Sequence, residues 1–105
     1  MGVLALDHFT IRTEQWGKTA EFFERVIGLS SGPRPDFRFP GCWMYAGGRP
    51  LLHIASVVGG DKDLQAYLGN KQGGYGSGCL DHVSLRCEGL ESVQVRLQSM
   101  GISFR

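Results

Sequence analysis

Charge of one sign is scarce in this sequence. Eleven Lys and Arg stand against ten Asp and Glu, a formal net charge of +1 over 105 residues. Such a balance excludes strong steering toward nucleic acid or an anionic membrane, and no run of like charges makes a basic tail. Long hydrophobic runs are missing as well, none approaching the ~18 apolar residues of a membrane span. The opening stretch "MGVLALDHF" has no basic n-region and turns polar at Asp7, so no secretory signal is expected. Leu6, where an N-myristoylation motif has Ser or Thr, argues against that anchor. Cysteine is sparse: three residues, an odd number without a CxxC pair, do not make a disulfide framework. A cytoplasmic protein with a small-molecule ligand, and no nucleic-acid or membrane partner, is the expectation.

Hydrophobic content of 42% and charged content of 20% describe an ordinary globular chain. A chain of this length fits one domain that buries about 65% of its unfolded surface. "LALDHFTIRT" alternates with period two and reads as a strand. Behind it, Trp16, Ala20, Phe23 and Ile27 recur at helical spacing, with Thr13 as N-cap and Gly28 as a left-handed stop. "SSGPRPDFRFPG" holds three prolines and reads as a loop or an irregular edge. "CWMYAGGRPLLHIASVV" reads as a hairpin turning at Gly47-Gly48. "GGDKDLQAYLGN" allows one short helix, and "KQGGYGSG" is a flexible linker; it lacks the lysine of a phosphate-binding loop.

Past that linker the beginning recurs. "LDHVSLR" (80–86) repeats "LDHFTIR" (6–12), keeping Leu, Asp, His and Arg and exchanging the rest like for like. Leu90, Val93, Leu97 and Met100 then stand as far from their arginine as Trp16, Thr19, Phe23 and Val26 do from theirs. Gly101 follows where Gly28 stood, after a slip of one residue. Similarity through strand, helix and helix stop points to an internal duplication.

Strand parity sorts the side chains. Asp7, Phe9 and Ile11 share one face of the first strand, and Leu6, His8, Thr10 and Arg12 share the other. In the repeat, Asp81, Val83 and Leu85 oppose Leu80, His82, Ser84 and Arg86. The apolar faces suit helices, so His8 and His82 fall on the uncovered faces. A bond from Asp7 or Asp81 to its neighbouring imidazole is not expected, because parity directs the two apart. Cys79 and Cys87 fall on the helix side, as buried bystanders. His53, the third histidine, lies in "PLLHIASVV". If the strands line one concave sheet, three imidazoles can converge on it, although they lack a short-range zinc-finger spacing. Trp43 and Tyr45 share a face of the hairpin strand, as core packing or as the wall of an apolar pocket. Arg12 and Arg86 are either grips for an anionic substrate or solvated strand ends.

With "LDHFTIRT", the helix end "FFERVIGL", the hairpin "CWMYAGGRPLLHIA" and the restart "LDHVSLRC", the chain resembles the vicinal oxygen chelate superfamily. Its members include glyoxalase I, bleomycin-resistance proteins and extradiol dioxygenases. The resemblance implies an α+β fold of paired βαβββ modules, with a curled mixed sheet around a cleft. It divides a single domain, 1–105, into a first module 1–58, a linker 59–78 and a partial second module 79–105, truncated after its helix. It carries metal ligation to His8, His53 and His82, with a divalent ion (Fe, Zn, Ni, Mn or Co) as cofactor. A fourth ligand, Glu in the family, has no counterpart among these residues. A truncated form of a longer protein, or pairing of copies into a homodimer, would account for this.

The implied function is a metal-dependent lyase, isomerase or ring-cleaving dioxygenase. Its small oxygen-rich substrate would be chelated to the metal, with Arg12, Trp43, Tyr45 and Arg86 as binding residues and no catalytic residue assigned. The alternative is a metal-free, bleomycin-resistance-like protein that binds an aromatic or cationic small molecule.

Overall fold

The computed structural model describes residues 2–56, 62, 66, 67, 69 and 76–105. The chain divides into two compact units, Met1–Tyr75 and Gly76–Arg105, with the division inside the expected linker.

In the first unit, β1 (Phe9–Thr13) leads to α1 (Trp16–Phe22), which continues as one π-helical turn, Phe23–Ile27. Three strands follow: β2 (Ser30–Gly32), β3 (Gly41–Ala46) and β4 (Arg49–Ser56). They form an open, mixed four-stranded sheet in the order β1-β4-β3-β2, with β1 parallel to β4 and the other pairs antiparallel. The fold is α+β.

The local signals explain most of these elements. Thr13 does not cap the helix itself. Its hydroxyl accepts the Gln15 amide at 3.1 Å, bending the chain out of β1 so that the helix starts one residue after Gln15. Gly28, at φ 95°, stops it: the amides of Gly28 and Leu29 both donate to the Phe23 carbonyl at 2.9 Å. Gly47 and Gly48, at φ 56° and 82°, make the two-residue turn whose twist suits a hairpin. Prolines at 33, 35 and 40 keep β2 to three residues at the sheet edge.

The core forms where α1 covers the sheet. Met44, Leu52 and Ile54 are fully buried, with Leu29 beside them. Phe9, Ile11, Trp16, Ala20, Phe23 and Ile27 pack around them, which is the expected helical stripe and the expected strand face. Burying each large aliphatic side chain stabilises the fold by roughly 1.5–3 kcal/mol, so this layer dominates the unit.

Two strand expectations need correction. The first was drawn from Leu4, yet the ladder begins at Phe9, paired with Leu52. Continuing that register sets residue 7 against Pro50, which has no amide hydrogen for a ladder. The second expectation, "CLDHVSLRC", forms no strand at all. In β1 the ladder exists because β4 supplies a partner, and residues 80–87 pair with no strand among the described residues. Without a sheet to cover them, Cys79 and Cys87 are exposed rather than buried.

The rest of the second unit follows its sequence. Leu90–Ser99 forms the helix α2, and Gly101, at φ 68°, follows its end as Gly28 does in the first unit. No described residue from 76 to 105 is fully buried. The short helix expected within 59–70 lies outside the described residues except at Lys62, Ala66 and Tyr67, which are helical, and Gly69, which is in a turn. Val57, Val58 and residues 71–75 of the linker also lie outside them. No helix among the described residues is long and apolar enough to cross a membrane.

Two glycine substitutions test the packing in opposite directions. A Cβ on Gly41 would run into the Ile54 carbonyl and stand 3.0 Å from an Arg34 nitrogen, whereas one on Gly17, inside α1, would meet nothing. Gly41→Ala should cost about 2 kcal/mol or more, and Gly17→Ala should add about 0.5–1 kcal/mol. Urea denaturation midpoints at constant m-value check both signs.

Candidate functional site

β4 is paired on both sides, so His53 has a cross-strand neighbour in each direction: Thr10 of β1 and Trp43 of β3. Neighbours in register share a face, so these side chains lie opposite the helix-covered core. Trp43 lies flat on His53, with ring centroids 3.8 Å apart and planes 7° from parallel. His8 lies on His53 as well, at 3.8 Å and 14°. Three rings thus form one stack, with His53 8% exposed and the His8 side chain 37% exposed.

The nitrogens are asymmetrically served. His8 Nδ1 lies 2.7 Å from Asp7 Oδ2, so the neutral ring donates there and keeps Nε2 as an acceptor. His53 has a backbone hydrogen bond at Pro50, which has only a carbonyl to offer. His53 Nε2 is buried with no hydrogen-bond partner among the described residues. Burial holds the His53 imidazole below its ordinary pKa, and the charge of His8 adds to this. The Pro50 bond and the Asp7 carboxylate act the other way. Asp7 itself is lowered, first by its hydrogen bond to His8.

The Asp7–His8 bond corrects the parity argument that kept the two apart. Both residues precede the ladder, where pleating does not dictate direction. The same holds for Asp81 and His82, whose Oδ2 and Nδ1 are 2.6 Å apart in a segment with no strand. His82 and Arg86 belong to the second unit and are exposed there. Arg12 is half-buried opposite Ala55, on the His53 face. Tyr45 has a packing role: its ring lies over Gly32 and its hydroxyl donates to the Pro33 carbonyl, tying β2 to β3.

A second aromatic group extends the ring layer. Phe37 stacks on Phe39 at 4.7 Å, Tyr67 leans on both, and Phe37 reaches Trp43 at 6.3 Å. Arg34 lies over Phe37 and Phe39, 5.4 Å from each centroid, and donates to the Phe39 carbonyl at 2.6 Å. Sequence reasoning missed these residues. The available signal was the alternation of Phe37 and Phe39 with charged residues in a segment too rich in proline to be a central strand.

No family model, no curated protein and no solved structure matches this chain.

The stacked geometry bears directly on metal binding. An imidazole binds a metal through a lone pair in its ring plane, at about 2.0–2.1 Å for zinc. The His8 and His53 planes are within 14° of parallel and do not meet at such a distance. As arranged, the pair does not fit one ion. The described residues contain no group of three His, Cys, Asp or Glu side chains able to hold one. The stack instead offers flat, polarisable ring surface with a carboxylate at its edge.

The lowered His53 value sets a pH dependence. A depressed imidazole pKa means the unfolded chain binds more protons between the folded value and ~6.5, so stability falls as pH drops below about 6.5. Denaturation midpoints between pH 7.5 and 5 should show this decline, and His53→Phe, which retains a flat ring, should flatten it.

Proposed function

We infer that the first unit binds a planar aromatic small molecule on the ring-bearing face of its sheet, as a metal-free module of the bleomycin-resistance kind. The Trp43–His53–His8 stack is the observation that carries this reading. Stacked ring pairs contribute about 0.5–1.5 kcal/mol beyond the area they bury, and they favour flat ligands. The aromatic group around Phe37 prolongs the layer. The near-zero net charge suits a ligand recognised by shape more than by charge. The vicinal oxygen chelate resemblance is supported by the β1-α1-β2-β3-β4 order of the first unit, one βαβββ module. The repeat of "LDH", helix and left-handed glycine supports reading 79–105 as the beginning of a second. In this reading the protein works in the cytoplasm, and a homodimer covers the open edge of β1.

Trp43 is one of two tryptophans, so its fluorescence is isolated in a Trp16→Phe background. Titration with two- and three-ring planar aromatics should quench it saturably. His53→Ala should weaken binding about tenfold, the equivalent of ~1.4 kcal/mol. A linear, unsaturable response to every compound would refute the reading.

A second reading, the metal-dependent glyoxalase- or dioxygenase-type enzyme, is favoured by the unpartnered His53 Nε2. It requires His8 to leave the stack and a third donor, His82 in the family pattern, to join. Metal analysis after loading with Fe, Zn, Ni, Mn or Co should then find a stoichiometric ion that His53→Ala and His82→Ala both lose. Protein that stays metal-free after loading sinks this reading.

A further inference from the structure

His8 differs from the two rings beneath it in how it is held. Trp43 and His53 belong to paired strands, whereas His8 precedes the first rung of β1. The chain leading to it pairs with no strand among the described residues, with Val3, Leu4 and Leu6 exposed by 96%, 97% and 66%. Its hydrogen bond is to Asp7, its own chain neighbour, and fixes the ring's tautomer, while Phe9 on the first rung of β1 holds the adjoining backbone. What ties the His8 ring to the fold is its stacking on His53. Beneath it, His53 is 8% exposed, with Trp43 against its other face. A ligand ring can therefore reach His53 by taking the place of His8.

We propose that His8 is a built-in plug, and that the ligand of this site is a one- or two-ring planar heteroaromatic with an in-plane N–H that replaces the His8 imidazole on His53. The His8 ring defines that class by example. It is flat, it stacks at 3.8 Å, and it presents Nδ1 to the Asp7 carboxylate at 2.7 Å. When the ring rotates away, the Asp7 carboxylate loses its hydrogen bond from Nδ1. A ligand N–H at the same edge restores it. An aromatic hydrocarbon fills the space and leaves the exposed carboxylate to water. The inference rests on the binding reading above and adds to it the displaced residue and the donor the ligand must carry.

The test uses 2-aminobenzimidazole, with 1,2-dimethylbenzimidazole as a similarly shaped ring lacking N–H. Proton NMR follows the His8 and His53 ring resonances, assigned from the His8→Ala and His53→Ala variants. In the free protein both should be shifted upfield by their stacked neighbours. On addition of 2-aminobenzimidazole, the His8 signals should return to the position of an unstacked histidine while those of His53 stay upfield. A plug closed at least four-fifths of the time lowers apparent affinity about fivefold or more, so His8→Ala should bind that much more tightly. Asp7→Ala should remove the preference for 2-aminobenzimidazole over its dimethyl analogue. If His8 stays upfield in the complex, or His8→Ala binds more weakly, His8 is part of the platform and the plug is overturned while the binding reading survives. If neither compound binds the wild type or His8→Ala, both are overturned. Urea midpoints for each variant show that the fold is retained.

Discussion

The parallel pairing of β1 with β4 is the constraint on which the first unit depends. Parallel strands cannot be joined by a tight turn, so the chain between them must leave the sheet and return. Here it leaves through α1 and returns through the β3–β4 hairpin. The register Phe9 to Leu52 and Ile11 to Ile54 brings four apolar side chains under the helix. The intervening pair, Thr10 and His53, necessarily turns the other way. A slip of one residue would put His53 into the core and Leu52 into solvent, an exchange that the full burial of Leu52 forbids. Core packing thus fixes the position of His53, although His53 adds nothing to the core.

From that register follows the character of the ring-bearing face. A histidine in a strand paired on both sides has little freedom, and Trp43 in the adjacent strand is held as firmly. Their near-parallel stacking at 7° results from two backbone ladders, and His8 joins it from outside them. The cost of this arrangement falls on the polar atoms. His53 Nε2 is covered without a hydrogen bond, and an unsatisfied buried acceptor typically costs about 1–3 kcal/mol. A phenylalanine at position 53 would stack without that cost.

Much of the first unit was legible in its sequence. Period-two alternation found the helix-covered face of β1, helical spacing found Trp16, Ala20, Phe23 and Ile27, and Gly47-Gly48 marked the hairpin. These signals succeed because each is a local consequence of burial on one side. Parity placed His53 opposite the core, but His8 precedes the ladder and reaches His53 by a stack that parity does not describe. Their mutual orientation was not legible, because a stack depends on interstrand register, which sequence leaves open. Phe37 and Phe39 escaped for a related reason: aromatics in a proline-rich loop carry no periodicity, and only the fold brings them to Trp43.

The two copies of Leu-Asp-His separate what is local from what is not. In both, the histidine Nδ1 meets the preceding aspartate, at 2.7 Å in one and 2.6 Å in the other. One copy leads into a ladder and the other sits in a segment with no strand. The Asp–His bond is therefore a property of the tripeptide, available wherever pleating does not set the two side chains apart. Strand formation is a property of the partner: "FTIRT" becomes β1 beside β4, and "VSLRC" has no counterpart of β4 among the described residues. The same division applies to chemistry. The tripeptide supplies an imidazole with a fixed tautomer twice over, but among the described residues only the first copy has a ring to rest on. In the first unit the stack is where the local dyad and the long-range sheet meet.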